Sequence, residues 1–348
     1  MYIVIDEKIP FLKEALEVMG HVVLSKPGAE ICAADVTDAD ALFVRTRTRC
    51  DAALLAGSKV RFIGTATIGY DHIDANYCAV NSIKWASAAG CNSWAVLQYV
   101  QSVLYLWAKE REVNPGDLVM GVVGVGEIGS KVAHWAKETG MTVLLNDPPR
   151  EQREGCGFVP LAEIAERCNV ITFHPTLTKE GLWPSYHLAD SDFFSSLRQC
   201  RLFINASRGP VVDNKALKDA IVSGAVGDAV LDVWENEPHI DTDLLDKVYI
   251  GTPHIAGYSL EGKINATRIM LHTFAVATGF TGKVPYVELP APAPNVIAAR
   301  DFPEAALKIY SPYNDSLNLK RNPGAFEELR NNYLLRRETC SFKLLLEK

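Results

Sequence analysis

The sequence predicts an α/β protein with two parallel-sheet domains, the larger one doubly wound and inserted in the smaller. Three observations carry that expectation. Short β-rich runs alternate with helix-spaced segments from residue 2 to about residue 251. The alternation breaks once, at a long apolar stretch after Asn92 and the turn Asn114-Pro-Gly-Asp117, and then resumes with great regularity. A second long helix-like stretch follows Ser259 and leads back to the first domain.

In chain order, residues 2–6 read as a strand and 11–19 as a helix that Gly20 can stop. Strands follow at about 21–24, 41–45 and 61–64. Asn92 is a candidate cap for a buried helix over 93–109. In the larger domain, strands are expected at 118–123, 141–146, 169–173, 201–206, 227–232 and 248–251. Helices are expected at about 127–139, 161–167, 190–198 and 214–223. Six strands with crossovers make a Rossmann-type, doubly wound domain. Ser259 can cap a helix to about residue 278. Pro290-Ala-Pro-Ala-Pro294 is a stiff linker, and residues 295–348 are too few for an independent fold and suit an oligomerisation arm.

With 348 residues the chain can build more than one core, and 48% hydrophobic with 22% charged residues is ordinary for a globular protein. A net charge of −7 argues against a general nucleic-acid or membrane surface, so any anion-binding arginine must act locally. Eight cysteines without a C-x-x-C pair fit isolated thiols in a reducing compartment, not a disulfide framework or a metal site. Cys91 reads as a packed thiol, with a nucleophile as the alternative. Met1-Tyr-Ile-Val-Ile-Asp-Glu7 lacks a basic n-region, and the apolar stretch 94–107 is broken by Gln98 and Gln101 and too short to span a bilayer. A cytoplasmic chain is expected.

Gly124-Val-Gly126-Glu127-Ile128-Gly129 sits between a predicted strand and a predicted helix. Such glycines permit a tight turn, approach of a pyrophosphate and close helix packing, and the helix N-terminus offers N–H donors to the anion. Asp147 ends the next strand 18 residues later, where a carboxylate can accept from ribose hydroxyls and would repel a 2′-phosphate. NAD is therefore favoured over NADP. Related loops also bind FAD or S-adenosylmethionine, and Asp147 could instead be a turn residue before Pro148-Pro149.

Arg208, Glu237 and His254 each follow an apolar segment, at 201–207, 229–234 and 248–253. In an open parallel sheet, ligands bind outside the carboxyl ends of the strands. Singly, each residue has a bland reading: a strand cap, a loop acid, a core imidazole. Together they form a cation, a carboxylate and an imidazole able to hold an acid and move its proton.

Three stretches resemble the D-isomer-specific 2-hydroxyacid dehydrogenases. They are Ser207-Arg-Gly-Pro-Val-Val-Asp213, Leu231-Asp-Val-Trp-Glu-Asn-Glu-Pro238 and Thr252-Pro-His-Ile-Ala-Gly257. Gly64-Thr-Ala-Thr67, Asp71-His-Ile-Asp74, Gly90-Cys-Asn92, Asn146-Asp-Pro-Pro-Arg150 and Gly257-Tyr-Ser-Leu-Glu-Gly-Lys263 point within the family to a branch acting on a small phosphorylated 2-hydroxy acid, 4-phospho-D-erythronate. The resemblance implies a flavodoxin-like substrate domain from residues 1–92 and 258–289, an NAD domain over 93–257, and a dimerisation segment over 290–348. It makes His254 the proton-transfer group, Glu237 its orienting partner and Arg208 the carboxylate ligand. Thr176, Ala206, Ser207, Arg208, Asp232 and Gly257 join the glycine loop and Asp147 as NAD contacts. Thr46, Thr67, Arg208 and Tyr258 match substrate contacts, and the basic stretch Phe43–Arg49 suits a phosphate, although Arg47 and Arg49 could equally be a solvated face. The chain departs from the family at Pro175, where relatives have Thr, and at Ser207, where the branch has Cys. Ala89 replaces a Pro, and the C-terminal segment is shortened. Another acid such as 3-phosphoglycerate, or a nonenzymatic NAD-sensing corepressor on the same fold, are the alternatives.

Overall fold

A computed structural model describes residues 1–347. The chain divides into two compact units, Met1–Asn92 with Ser259–Ala291, and Ser93–Tyr258 with Pro292–Lys348.

The first unit has five parallel strands, β1 (Tyr2–Asp6), β2 (Val22–Lys26), β3 (Ala41–Val44), β4 (Phe62–Thr65) and β5 (Lys84–Ser87), in the order β2-β1-β3-β4-β5. That is the flavodoxin-like order. β3 and β4 are buried along their whole length, as strands covered on both faces must be. Ile3, Phe43 and Phe62 pack on one face with Ile264, Met270 and Phe274 of the helix Leu260–Thr278. Val4, Leu42 and Ile63 pack on the other. Ser259 caps the Leu260–Thr278 helix by accepting from the Gly262 N–H at 2.9 Å. The expected cap at Asn92 is not made: its Oδ1 is buried without a hydrogen-bond partner. Asn92 is instead packed against Gly262, where an added Cβ would stand 2.9 Å from the Asn92 Cβ. Strand β5 and the short helix Ala75–Val80 carry too few residues of clear periodicity to stand out in sequence.

The second unit has six parallel strands, β6 (Val119–Val123), β7 (Thr142–Asn146), β8 (Val170–Phe173), β9 (Leu202–Asn205), β10 (Asp228–Leu231) and β11 (Ile250–Gly251). Their order is β7-β6-β8-β9-β10-β11. Among the described residues, no strand takes the outer third place of the usual dinucleotide-binding order. Pro148 and Pro149 open a helix, Pro148–Glu154, in its place, and only Val159 bonds to the β7 edge, at Leu145 O. Alternation along the strands sends Met120, Val122, Ile204 and Val230 to one core and Ile171, Phe173, Phe203 and Leu231 to the other.

The C-terminal segment belongs to this unit. β12 (Val296–Ala299) and β13 (Lys343–Leu346) pair in parallel. Between them lie the helices Phe302–Ile309, Tyr313–Arg321 and Phe326–Asn331. Ala306 and Tyr310 join the first core and Leu319 and Phe326 the second, so the segment packs on both sides of the sheet. The Arg336 guanidinium is buried and donates to the carbonyls of Ala95, Ile255, Ala256 and Tyr258 and to Gln98 Oε1. It also lies 4.1 Å from the Tyr310 ring centre. Carbonyl dipoles and an aromatic face thus replace the water that this cation loses. Among the described residues, no helix is long and apolar enough to cross a membrane.

Candidate active site

β9, β10 and β11 are adjacent and parallel, so the segments after them emerge at one end of the sheet. Arg208, Glu237 and His254 lie on those three exits.

The β11 exit is organised by Asp232, which is fully buried at the end of β10. Its Oδ1 accepts from the Thr252 hydroxyl at 2.7 Å and the Ile255 N–H at 2.8 Å, and its Oδ2 from the Ala256 N–H at 2.8 Å. Burial raises its proton affinity, opposed by His254 and by these donors. Its backbone carbonyl accepts from the His254 N–H at 2.7 Å. His254 is held there at φ 58°, a left-handed conformation that a β-carbon disfavours and that surrounding bonds must impose.

His254 Nδ1 lies 2.8 Å from Glu237 Oε2. Glu237 Oε1 accepts from the Trp234 N–H at 2.9 Å, which fixes the carboxylate on its own loop. Burial alone would raise the Glu237 carboxyl; His254, the Trp234 N–H and Arg330 outweigh it and hold it below the usual range. With Nδ1 engaged, Nε2 is the nitrogen left to exchange a proton with a ligand. Arg208 is half-buried, with Nη1 donating to the Ser207 carbonyl at 2.8 Å. The Ser207 N–H and hydroxyl both donate to Asn205 Oδ1.

The glycine loop fits a dinucleotide. Gly124, at φ 82°, packs so closely on Pro175 that a Cβ would overlap its backbone, and a Cβ on Gly129 would overlap the Gly124 carbonyl. At Gly126 an added Cβ meets nothing within 4 Å. The helix Glu127–Glu138 begins there with no side-chain cap, leaving its first N–H groups for an anion. Asp147 ends β7 and accepts from the Val125 N–H at 2.8 Å and the Arg150 N–H at 2.9 Å. It therefore braces the loop and caps a helix, and each oxygen keeps a lone pair for a ribose hydroxyl. Arg150, a potential ligand for a 2′-phosphate, is instead gripped by Glu154 at 2.7 and 2.8 Å. The exposed Thr176 is tied through its carbonyl to the Ser185 hydroxyl. His174 is buried with Nε2 2.9 Å from the Thr172 hydroxyl, and burial pushes it down to about 3, so it is a neutral structural imidazole. Among the described residues, no group of His, Cys, Asp or Glu could hold a metal ion.

In the first unit, Thr67 bonds the Thr65 hydroxyl at 2.7 Å and the Gly69 carbonyl at 2.9 Å, while Thr46 is exposed on the turn after β3. Nearby, Arg45 is paired with buried Asp6 at 2.9 Å and Arg49 with Asp51 at 2.7 Å. Cys91 is buried in the apolar cluster of that unit.

Two polar groups escaped the sequence reading. His187 Nε2 lies 2.7 Å from Glu235 Oε1, and Glu235 Oε2 accepts from the Asn214 N–H at 2.9 Å, which links the loops carrying Arg208 and Glu237. Arg330 lies 3.7 Å from Glu237 Oε2 and donates to the Tyr258 hydroxyl at 3.3 Å. Neither sits in a local pattern that sequence spacing could reveal.

The NAD-binding domain model of the D-isomer-specific 2-hydroxyacid dehydrogenases matches residues 101–256. Among solved structures, a D-lactate dehydrogenase from Aquifex aeolicus, complexed with NAD and lactic acid, has a TM-score of 0.63 at 24% identity. The match covers 80% of this chain and 96% of that one. The chain has the fold of this class and is an NAD-dependent oxidoreductase of the 2-hydroxyacid type. The erythronate-4-phosphate dehydrogenase of Bacteroides thetaiotaomicron is 51% identical over 347 residues, 99% of both chains. That of Edwardsiella ictaluri is 41% identical over 361 residues, all of this chain and 95% of the relative. The chain belongs to the erythronate-4-phosphate dehydrogenase family.

Proposed function

We propose that this chain oxidises 4-phospho-D-erythronate to 2-oxo-3-hydroxy-4-phosphobutanoate in pyridoxal 5′-phosphate biosynthesis, with His254 as the base. The observation that carries the chemistry is the 2.8 Å contact between Glu237 and His254 Nδ1, which turns Nε2 into the proton acceptor. Bound NAD would supply the acceptor for the C2 hydride. His254 Nε2 accepts the proton of the C2 hydroxyl, and Glu237 stabilises the imidazolium that forms. Arg208 holds the substrate carboxylate, for which its planar fork is suited.

Gly124, Gly126, Glu127, Ile128 and Gly129 would line the pyrophosphate, Asp147 the ribose, and Thr176, Ala206, Ser207, Asp232 and Gly257 the rest of the cofactor. Thr46, Thr67 and Tyr258 would contact substrate, with the basic stretch Phe43–Arg49 supplying the phosphate seat. The C-terminal segment carries exposed Leu334, Leu335, Leu345 and Leu346, which suits a homodimer contact. A cytoplasmic location agrees with the free state of all eight cysteines.

The test follows NADH formation on 4-phospho-D-erythronate and 3-phospho-D-glycerate in parallel. A higher kcat/KM on the first, abolished in His254→Ala, is expected. Preference for phosphoglycerate would overturn the substrate, and NADH binding without turnover on any D-2-hydroxy acid would make the chain a sensor.

A further inference from the structure

We infer that Arg330, from the C-terminal segment, is a positioning residue that sets the charge balance of the Glu237–His254 pair and orients Tyr258. The inference rests on the reading of that pair as the proton-handling group. Arg330 is carried by the helix Phe326–Asn331, which Phe326 anchors in the core of the same unit. One guanidinium nitrogen lies 3.7 Å from Glu237 Oε2, the very oxygen that His254 Nδ1 contacts. Another donates to the Tyr258 hydroxyl, 72 residues earlier in the chain. Both side chains of the ion pair are 18% exposed, so water and salt screen it less than a surface pair.

Besides Arg330, the charged groups here include Arg336, whose guanidinium binds the Ile255 and Ala256 carbonyls next to His254 and interacts with Asp232. Glu237 faces His254 at Nδ1, and Asp232 lies beneath it at the end of β10. Arg208 stands at the neighbouring strand exit. Arg330 itself is faced by Glu237, Tyr258 and, one turn back on its own helix, Glu327. Tyr258 meets the Tyr333 ring edge-on, with centres 6.1 Å apart, and its carbonyl is bound by Arg336.

Oxidation calls on a neutral imidazole as base, and a carboxylate 2.8 Å from Nδ1 attracts positive charge to the ring. A cation on the same carboxylate oxygen opposes that by like-charge repulsion and by sharing the anion. The guanidinium thereby leaves the imidazole oriented yet able to give up its proton. Through Tyr258 it also fixes a residue proposed to touch substrate.

The experiment is a pH profile of kcat/KM for NAD-dependent oxidation in the full-length chain, with Arg330→Met, Arg330→Lys, Glu237→Gln and the double variant Glu237→Gln/Arg330→Met. Arg330→Met is expected to move the acid limb up by roughly half a pH unit or more and to raise KM for the acid. Arg330→Lys restores the limb but not the KM, since it keeps the charge and loses the fork. In the Glu237→Gln background the Arg330 change should move the limb by less, since only the direct repulsion between the two cations remains. An unmoved limb in Arg330→Met, or an equal shift in both backgrounds, overturns the inference. Arg330→Gln, which keeps a polar partner for Tyr258, serves as the neutral variant if the Met chain does not fold. Full activity in His254→Ala would instead remove the underlying proton-transfer reading, so the two failures are distinct.

Discussion

Glu237 reaches across 17 residues of sequence to place its Oε2 2.8 Å from His254 Nδ1. The imidazole is thereby fixed in orientation and in tautomer, with Nδ1 donating. His254→Ala should lower kcat/KM for oxidation by about a hundredfold to ten-thousandfold. Glu237→Gln should cost less and move the acid limb to lower pH, because the anion that favours the imidazolium is gone. Steady-state rates from pH 6 to 10 would check both, and a limb unmoved in the Gln variant would take Glu237 out of the proton step.

Gly126 and Gly129 make opposite predictions in one loop. A methyl at Gly126 meets no protein atom within 4 Å, so Gly126→Ala should fold normally and bind NADH at least tenfold more weakly. Gly129→Ala should destabilise the fold itself, because its Cβ would overlap the Gly124 carbonyl. Fluorescence titration with NADH beside thermal melting separates the two, and unchanged NADH affinity in Gly126→Ala would place the pyrophosphate elsewhere.

Asp232 accepts from three donors of the β11 exit and is fully buried. In Asp232→Asn an amide NH2 replaces one acceptor and leaves a donor facing a donor. A stability loss of about 1–3 kcal/mol is expected. A fall in kcat should accompany it, because the backbone that sets His254 relaxes. Denaturant unfolding with activity at matched folded fraction is the measurement; an intact kcat would confine Asp232 to stability.

His174 gives a pH signature of stability. Burial lowers it to about 3, whereas an unfolded imidazole titrates near its ordinary 6.5. Between those values the unfolded chain binds the extra proton, so stability falls as pH falls from 6.5 towards 3. At pH 5 this costs about 2 kcal/mol. His174→Gln should therefore lose less stability than the parent between pH 7.5 and 5, measured by urea midpoints. Equal losses would mean that the imidazole is protonated in the folded chain.

Much of this protein is legible from its sequence, for a physical reason. Alternating periodicity, glycine spacing and cap residues are local properties of a chain that must bury apolar faces and satisfy backbone groups. They located six strands of the larger domain to within two residues and put Arg208, Glu237 and His254 at strand ends. Where local signals were short, as in β5, or turned by Pro148-Pro149 into a helix, reading by periodicity stopped. Only the tertiary structure decided that Asn92 is packed rather than capping, that Asp147 braces the glycine loop, and that the C-terminal segment packs into both cores of its unit. It alone brought Arg330 to Glu237 and Arg336 to the carbonyls after His254. Those contacts join residues roughly 80 to 90 positions apart, and a separation of that size leaves no periodic trace in sequence, because it is set by how whole helices pack on a sheet.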